Sequence, residues 1–327
     1  MIRESLASLL ESIAKKHNIE SALDLMIAEA RECIHIFYGE ADEPAEIGAS
    51  RLGGDPDLPA SIEWPKGVTP EFPEYALANF IAQIRFSDLP KIEDFPLPSE
   101  GHLWLFLNFV PDRGPDLGFT TFFQRSPGAL QPRRQTEYVE WPIGAIGSSP
   151  LRFEVGVTLP FGSIAFREAL DDKIGDRNVG WDDIAEELEP EDVGGQIGGF
   201  TVSYGGDDPA RTSAMHHLGR LDLSNKHSCY TWDTMAQLEH SMARVPRYIE
   251  DDEQLAKWKK SFDPYRPGVQ WIEQHLPEIL SWRLLIKLNP NLRADFDMGD
   301  SWPLWVFGRP EDFAEGNFSN VAATWGR

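Results

Sequence analysis

Hydrophobic spacing divides the chain into a short helical entry and a long stretch with strand periodicity. Ile2, Leu6, Leu9, Leu10 and Ile13 recur at helical intervals, and Asn18 breaks the pattern, which predicts a first helix. Ser21 to Glu32 predicts a second, with Leu23, Met26, Ile27 and Ala30 on one side. Ile34–Tyr38 then reads as a strand closed by Gly39. Strands are expected at Ala78–Phe86, Gly101–Phe109, Thr120–Gln124, Arg152–Val157 and Thr136–Trp141, bounded by Pro and Gly. Asp182–Leu188 predicts a helix, ended by Glu189-Pro190, and Asp251–Leu280 a longer helical insertion. Gly194–Val202, with its two double glycines, is expected to be an extended loop that approaches a ligand.

The pattern repeats. Leu52-Gly53-Gly54, Trp64, the apolar run Phe80–Ile84 and Gly101–Leu107 are echoed by Leu218-Gly219-Arg220, Trp232, Leu284–Leu288 and Gly299–Phe307. The echo predicts two related β-units in tandem about a pseudo-twofold. The expected fold class is therefore α+β, predominantly β. Residues 1–38 hold the N-terminal helices and first strand, 39–167 a first β-unit and 168–208 an acidic insert. Residues 209–327 are a second β-unit with the helical insertion at about 251–280, all in one compact body.

Composition narrows the partners. The 327 residues carry 53 acids against 30 bases, a net charge of −23. Nucleic acid binding, which rests on basic contacts to phosphate, is not expected. An anionic membrane surface would repel the chain, and no apolar run is long enough to span a bilayer. Residues 168–208 hold thirteen acids against Lys173 and Arg177, a face that a basic protein partner would suit. The N-terminus lacks the uncharged core of a secretory signal. Only Cys33 and Cys229 occur, with no disulfide framework or zinc spacing, and a reducing, cytoplasmic setting is expected.

Catalytic signatures are weak. No nucleophile elbow or phosphate loop is present, so no cofactor is expected. Asp176, Asn178, Gly180, Asp182 and Glu187 partly match a calcium loop, but Trp181 stands where that loop needs Gly. His216-His217, as strand neighbours, would point to opposite faces. Gln83 interrupts an apolar strand. If buried, its amide either satisfies the Gly53–Asp57 loop or faces a cleft beside Trp64 and Trp104.

The segment Arg51-Leu52-Gly53-Gly54-Asp55-Pro56-Asp57-Leu58-Pro59 with Trp64-Pro65, the strand Phe80–Ile84, and the C-terminal run Met298–Trp302, Leu304–Phe307, Asp312-Phe313 and Phe318–Val321 together resemble the YwqG-like domain family. That family tends to carry His-Leu-Gly-aromatic-Pro followed by Gln. Here the stretch reads His216-His217-Leu218-Gly219-Arg220-Leu221-Asp222, without the aromatic, the Pro or the Gln. The resemblance implies a bacterial domain without an agreed activity, sometimes found among toxin-immunity gene clusters. The leading expectation is a binding or protein-interaction module, regulatory or toxin-neutralising, with a ligand or partner cleft at Asp55, Asp57, Trp64, Gln83, Trp104, His217 and Asp300. The alternative is a metal-dependent or carboxylate-based hydrolase whose site lies between the two β-units.

Overall fold

The computed structural model describes residues 2–66 except 42 and 44, 77–108 except 94, 118–134, 145–175, 180–201, 210, 213–215, 218, 232, 234–246, 249, 251–297 and 303–325. The chain forms two compact units, Met1–Asp208 with Arg283–Arg327, and Pro209–Trp282.

The first unit is mainly β. Its ten-stranded sheet contains β1 (Arg31–Tyr38), β2 (Arg51–Leu52), β4 (Asn79–Arg85), β5 (His102–Asn108), β6 (Gly118–Gln124), β8 (Ser149–Thr158), β9 (Val193–Ile197), β10 (Arg283–Leu288), β11 (Leu304–Gly308) and β12 (Val321–Trp325). A separate ribbon pairs β3 (Asp57–Pro59) with β7 (Leu130–Pro132). The strand order is β12-β11-β10-β9-β1-β8-β2-β4-β5-β6, and the pairings are antiparallel. This order places one four-stranded meander on each side of the central β1–β8 pair. The edge strands then approach each other: the Thr121 hydroxyl donates to the carbonyl of Phe318, and the Phe123 and Phe318 rings lie 4.9 Å apart. The sheet is nearly closed on itself.

Alternation along the strands sorts its two faces. Leu52, Ala82 and Leu105 stand side by side in register, as do Ile34, Ile197 and Ile286, and all six belong to the largest apolar core. Each of the five Leu and Ile side chains among them contributes about 1.5–3 kcal/mol. A second core lies under the helices α1 (Glu4–Lys16), α2 (Leu23–Glu29), α3 (Ile164–Ile174) and α4 (Trp181–Leu188), where Leu10, Ile13, Met26, Leu170 and Ile184 meet Val157. Asp171, Asp172, Asp183 and Glu186 are exposed. Ser163 caps α3 by accepting from the Phe166 amide. A short helix, α8 (Pro310–Glu315), buries Phe313 against the first core.

The second unit is helical where it is described. Residues 213–215 are helical, followed by α5 (Met235–Ala243), α6 (Asp252–Lys260) and α7 (Arg266–Ile279). Thr234 and Gln237 form a reciprocal capping box on α5, and Asp251 caps α6. Helices α6 and α7 lie within residues 251–280.

The echo requires a correction. Leu218 and Trp232 belong to this helical unit, with the Leu218 amide donating to the carbonyl of Ala214, and neither is in the sheet. The expected strand Thr136–Trp141 lies outside the described residues, as do Cys229, His216, His217, Asp176, Asn178, Met298 and Asp300.

Candidate functional site

The Gly53-Gly54 corner turns the chain back over its own sheet. Both glycines have positive φ, 60° and 70°. The turn lays Asp57 against three side chains that are neighbours in the register, Arg51, Gln83 and Trp104. The Asp57 amide donates to Gln83 Oε1 at 2.8 Å, and the Asp57 carbonyl accepts from Trp104 Nε1 at 3.0 Å. Its carboxylate accepts from the Gly48 amide at 2.6 Å and Gln83 Nε2 at 3.1 Å, and lies 2.8 Å from an Arg51 guanidinium nitrogen. Gln83 and Trp104 are fully buried and Asp57 is 1% exposed. Gln83 therefore satisfies the loop that precedes it, as one of its two expected roles required.

Trp64 packs edge-on against Phe106 and donates to the carbonyl of Ala78. The carbonyl of Asp55 accepts from Arg51. Of the seven expected cleft residues, the structure brings Asp57, Gln83 and Trp104 into direct contact. His217 and Asp300 lie outside the described residues.

The other meander has a matching row. Gln196 pairs with Lys287, and Lys287 with Trp305, as Arg51 pairs with Gln83 and Gln83 with Trp104. Strand β4 has a register shift between Phe80 and Ala82, and β10 between Leu284 and Ile286. The Gly53 amide donates to Ile81 at the first shift, and the Gly198 amide to Leu285 at the second. Gly198 and Gly199 have φ of 68° and 72°. Gln196 donates to the carbonyl of Phe200, four residues on, as Arg51 donates to that of Asp55. Thus Gln196-Ile197-Gly198-Gly199 stands where Arg51-Leu52-Gly53-Gly54 stands in the other meander.

The two rows are used differently. Trp104 Nε1 bonds to Asp57, whereas Trp305 Nε1 is buried without a partner among the described residues. Around Lys287 and Gln196 a pocket is open. Strand β1 contributes His35, the end of β8 Thr158, and β10 Lys287, while Leu188 and Glu189 at the end of α4 form one side. Leu159, Phe161 and Phe200 supply an apolar wall. The guanidinium of Arg31 lies 4.1 Å from the Phe200 ring, and the Phe200 amide donates to the Thr158 hydroxyl at 2.9 Å, which together fix that wall.

Charge in the pocket is paired. Lys287 Nζ lies 2.8 Å from Glu189 Oε1, with side chains 16% and 37% exposed. Asn289 adds a longer contact to the same carboxylate. Burial pushes the Glu189 carboxyl up, but Lys287, Asn289 and His35 together hold it below the usual value. Burial lowers His35, with Glu189 opposing and Lys287 assisting, so its imidazole is neutral at pH 7. His35 is 5% exposed and lines the pocket. Its ring lies over Gly156, where a Cβ would come within 2.3 Å of it. Cys33, two residues earlier on β1, is fully buried, and burial raises its thiol far above the range of a nucleophile at neutral pH. Among the described residues no three His, Cys, Asp or Glu side chains form a metal-binding group.

His35, Glu189 and Lys287 were not singled out from the sequence as site residues. A lone His in an apolar strand gives no signal. Lys287 does give one: it interrupts Leu284–Leu288 at the place where Gln83 interrupts Phe80–Ile84.

These features define a mainly β domain with a polar row in each meander and an open pocket beside one of them. A family model described as "Domain of unknown function (DUF1963)" matches residues 50–326, and the chain belongs to that family. An uncharacterised domain family is what the YwqG-like resemblance implied; the match does not carry that name. No curated protein matches the chain. No helix among the described residues is long and apolar enough to cross a membrane.

Proposed function

We propose that this protein is a small-ligand binding module built from two related half-sheets, of which one is filled by its own chain and the other presents the binding pocket. The observation that carries this reading is the contrast between the rows. Arg51, Gln83 and Trp104 are all engaged by Asp57, whereas Gln196 and Lys287 line an open pocket beside His35. Support for related halves comes from the equivalent register shifts, the two pairs of positive-φ glycines and the palindromic strand order. A pocket with an apolar wall and a few converging polar groups suits a small organic molecule.

A docking face for a basic protein on residues 168–208 rests on charge alone, and a regulatory or toxin-neutralising role on the resemblance alone. Asp57, one of the carboxylates of the hydrolase alternative, is committed to Arg51, Gln83 and Gly48.

Saturation-transfer NMR of a mixed metabolite library tests the reading. The native protein and a Thr201→Trp variant, which narrows the pocket, are compared at equal thermal stability. The proposal expects compounds whose signal is lost in the variant. A library in which every compound gives the same signal with both proteins contradicts it.

A further inference from the structure

The pocket has a specific electrostatic shape. Lys287, the one cation among the described lining residues, and the carboxylate of Glu189 are already paired at 2.8 Å, with Lys287 16% and Glu189 37% exposed. A ligand with a single charge would engage one member and leave the other without its partner. Leaving Lys287, the more buried of the two, without an opposite charge is unfavourable. An uncharged ligand that parted the two would strand both. A phosphate suits the pocket poorly, because it meets one lysine that is already neutralised, and Glu186 stands at the lining.

We infer that the occupant is a small zwitterion, one ammonium and one carboxylate beside an apolar group, which is the chemistry of a free amino acid with an apolar side chain. This rests on the pocket being a ligand site. The carboxylate pairs with Lys287 and the ammonium with Glu189, so each charge of the pair keeps an opposite neighbour. The neutral His35 in the lining offers one N–H and one acceptor to the same polar end. The Gln196 amide nitrogen is committed to the carbonyls of Gly198 and Phe200, at 2.6 and 3.0 Å, which leaves its oxygen as a further acceptor for an ammonium. Phe161, Phe200, Leu159 and Leu188 then face the apolar group. The filled half supplies a precedent: there one amino-acid residue, Asp57, is held by its amide, carbonyl and carboxylate at the same row of the sheet.

Isothermal titration with phenylalanine, leucine and tyrosine, against N-acetylphenylalanine, phenylalanine amide and phenylpropionate, decides the point. A free amino acid is expected to saturate the protein, and removing either charge is expected to weaken binding about tenfold or more. Lys287→Met should abolish the advantage of the free acid over its amide, and Lys287→Arg should keep it. If Lys287→Met does not fold, the ligand series on the native protein decides alone. Blocked derivatives that bind as well as the free amino acids overturn the inference. So does a panel in which no zwitterion binds, and if library compounds still distinguish the Thr201→Trp variant, the pocket remains a ligand site while its zwitterion chemistry is lost.

Discussion

Gly53 and Gly198 hold the same place in the two meanders of the sheet. Each has positive φ, and each donates its amide to the residue at its partner strand's register shift, Ile81 for one and Leu285 for the other. Their surroundings differ. A Cβ on Gly53 would come within 2.3 Å of the Gly147 carbonyl oxygen, whereas one on Gly198 would meet Phe95 at 3.1 Å. Gly198→Ala is expected to destabilise by about 1 kcal/mol, the cost of the left-handed backbone. Gly53→Ala adds a clash with backbone and should exceed about 3 kcal/mol. Urea unfolding measures both, and equal values would contradict the geometry.

Gln83 and Lys287 share a position but not a burden. Gln83→Leu strands the buried Asp57 amide and takes the donor from the half-buried Ala49 carbonyl, and is expected to cost about 3 kcal/mol. Lys287→Met leaves Glu189 with 37% of its side chain still in water, and should cost about 1 kcal/mol. Chemical denaturation of the two variants checks the order. A larger loss at Lys287 would mean that the pocket is a structural element.

The two tryptophans allow a paired comparison. Trp104→Phe removes the N–H that binds the Asp57 carbonyl, whereas Trp305→Phe removes an N–H with no partner among the described residues. Both lose similar apolar area, so the difference isolates the hydrogen bond. Trp104→Phe is expected to be the more destabilising by about 1 kcal/mol. Equal losses by thermal unfolding would show that the rows are used alike.

Acid is expected to destabilise the protein in two stages. Burial holds His35 and His102 below the ordinary 6.5, so the unfolded chain takes up protons first as pH falls. Stability therefore declines from about that pH downward. For Glu189, burial opposes but Lys287 prevails, and the ionised form is favoured in the fold. Its contribution is complete above the ordinary 4.5 and lost as pH falls through the lower folded value. His35→Gln should flatten the upper stage and spare the lower. A stability profile by urea midpoint that rises from pH 7.5 to 6, or is unchanged by His35→Gln, contradicts this.

Much of the fold is legible in the sequence, and the reason is local. The first helix, the strands about Phe80–Ile84 and Gly101–Leu107, and the helix at Asp182–Leu188 follow from spacing that neighbouring residues fix. The second corner does not. Leu218-Gly219 matches Leu52-Gly53 as letters, but what defines the corner is a pair of positive-φ glycines after a strand, and Ile197-Gly198-Gly199 meets that requirement. A double glycine alone does not say which strand pairs beside it. The buried role of Gln83 was legible because an amide in an apolar strand must find partners. Glu189 was not, since its partner Lys287 lies far along the chain.

Methyl-resolved NMR of the protein with the tightest-binding library compound distinguishes the open half of the sheet from the filled one. Leu159 and Leu188 line the open pocket, and Leu58 lies in the filled half. The account predicts shifts at Leu159 and Leu188 with Leu58 unmoved. Shifts at Leu58, with Leu159 and Leu188 unchanged, would contradict it.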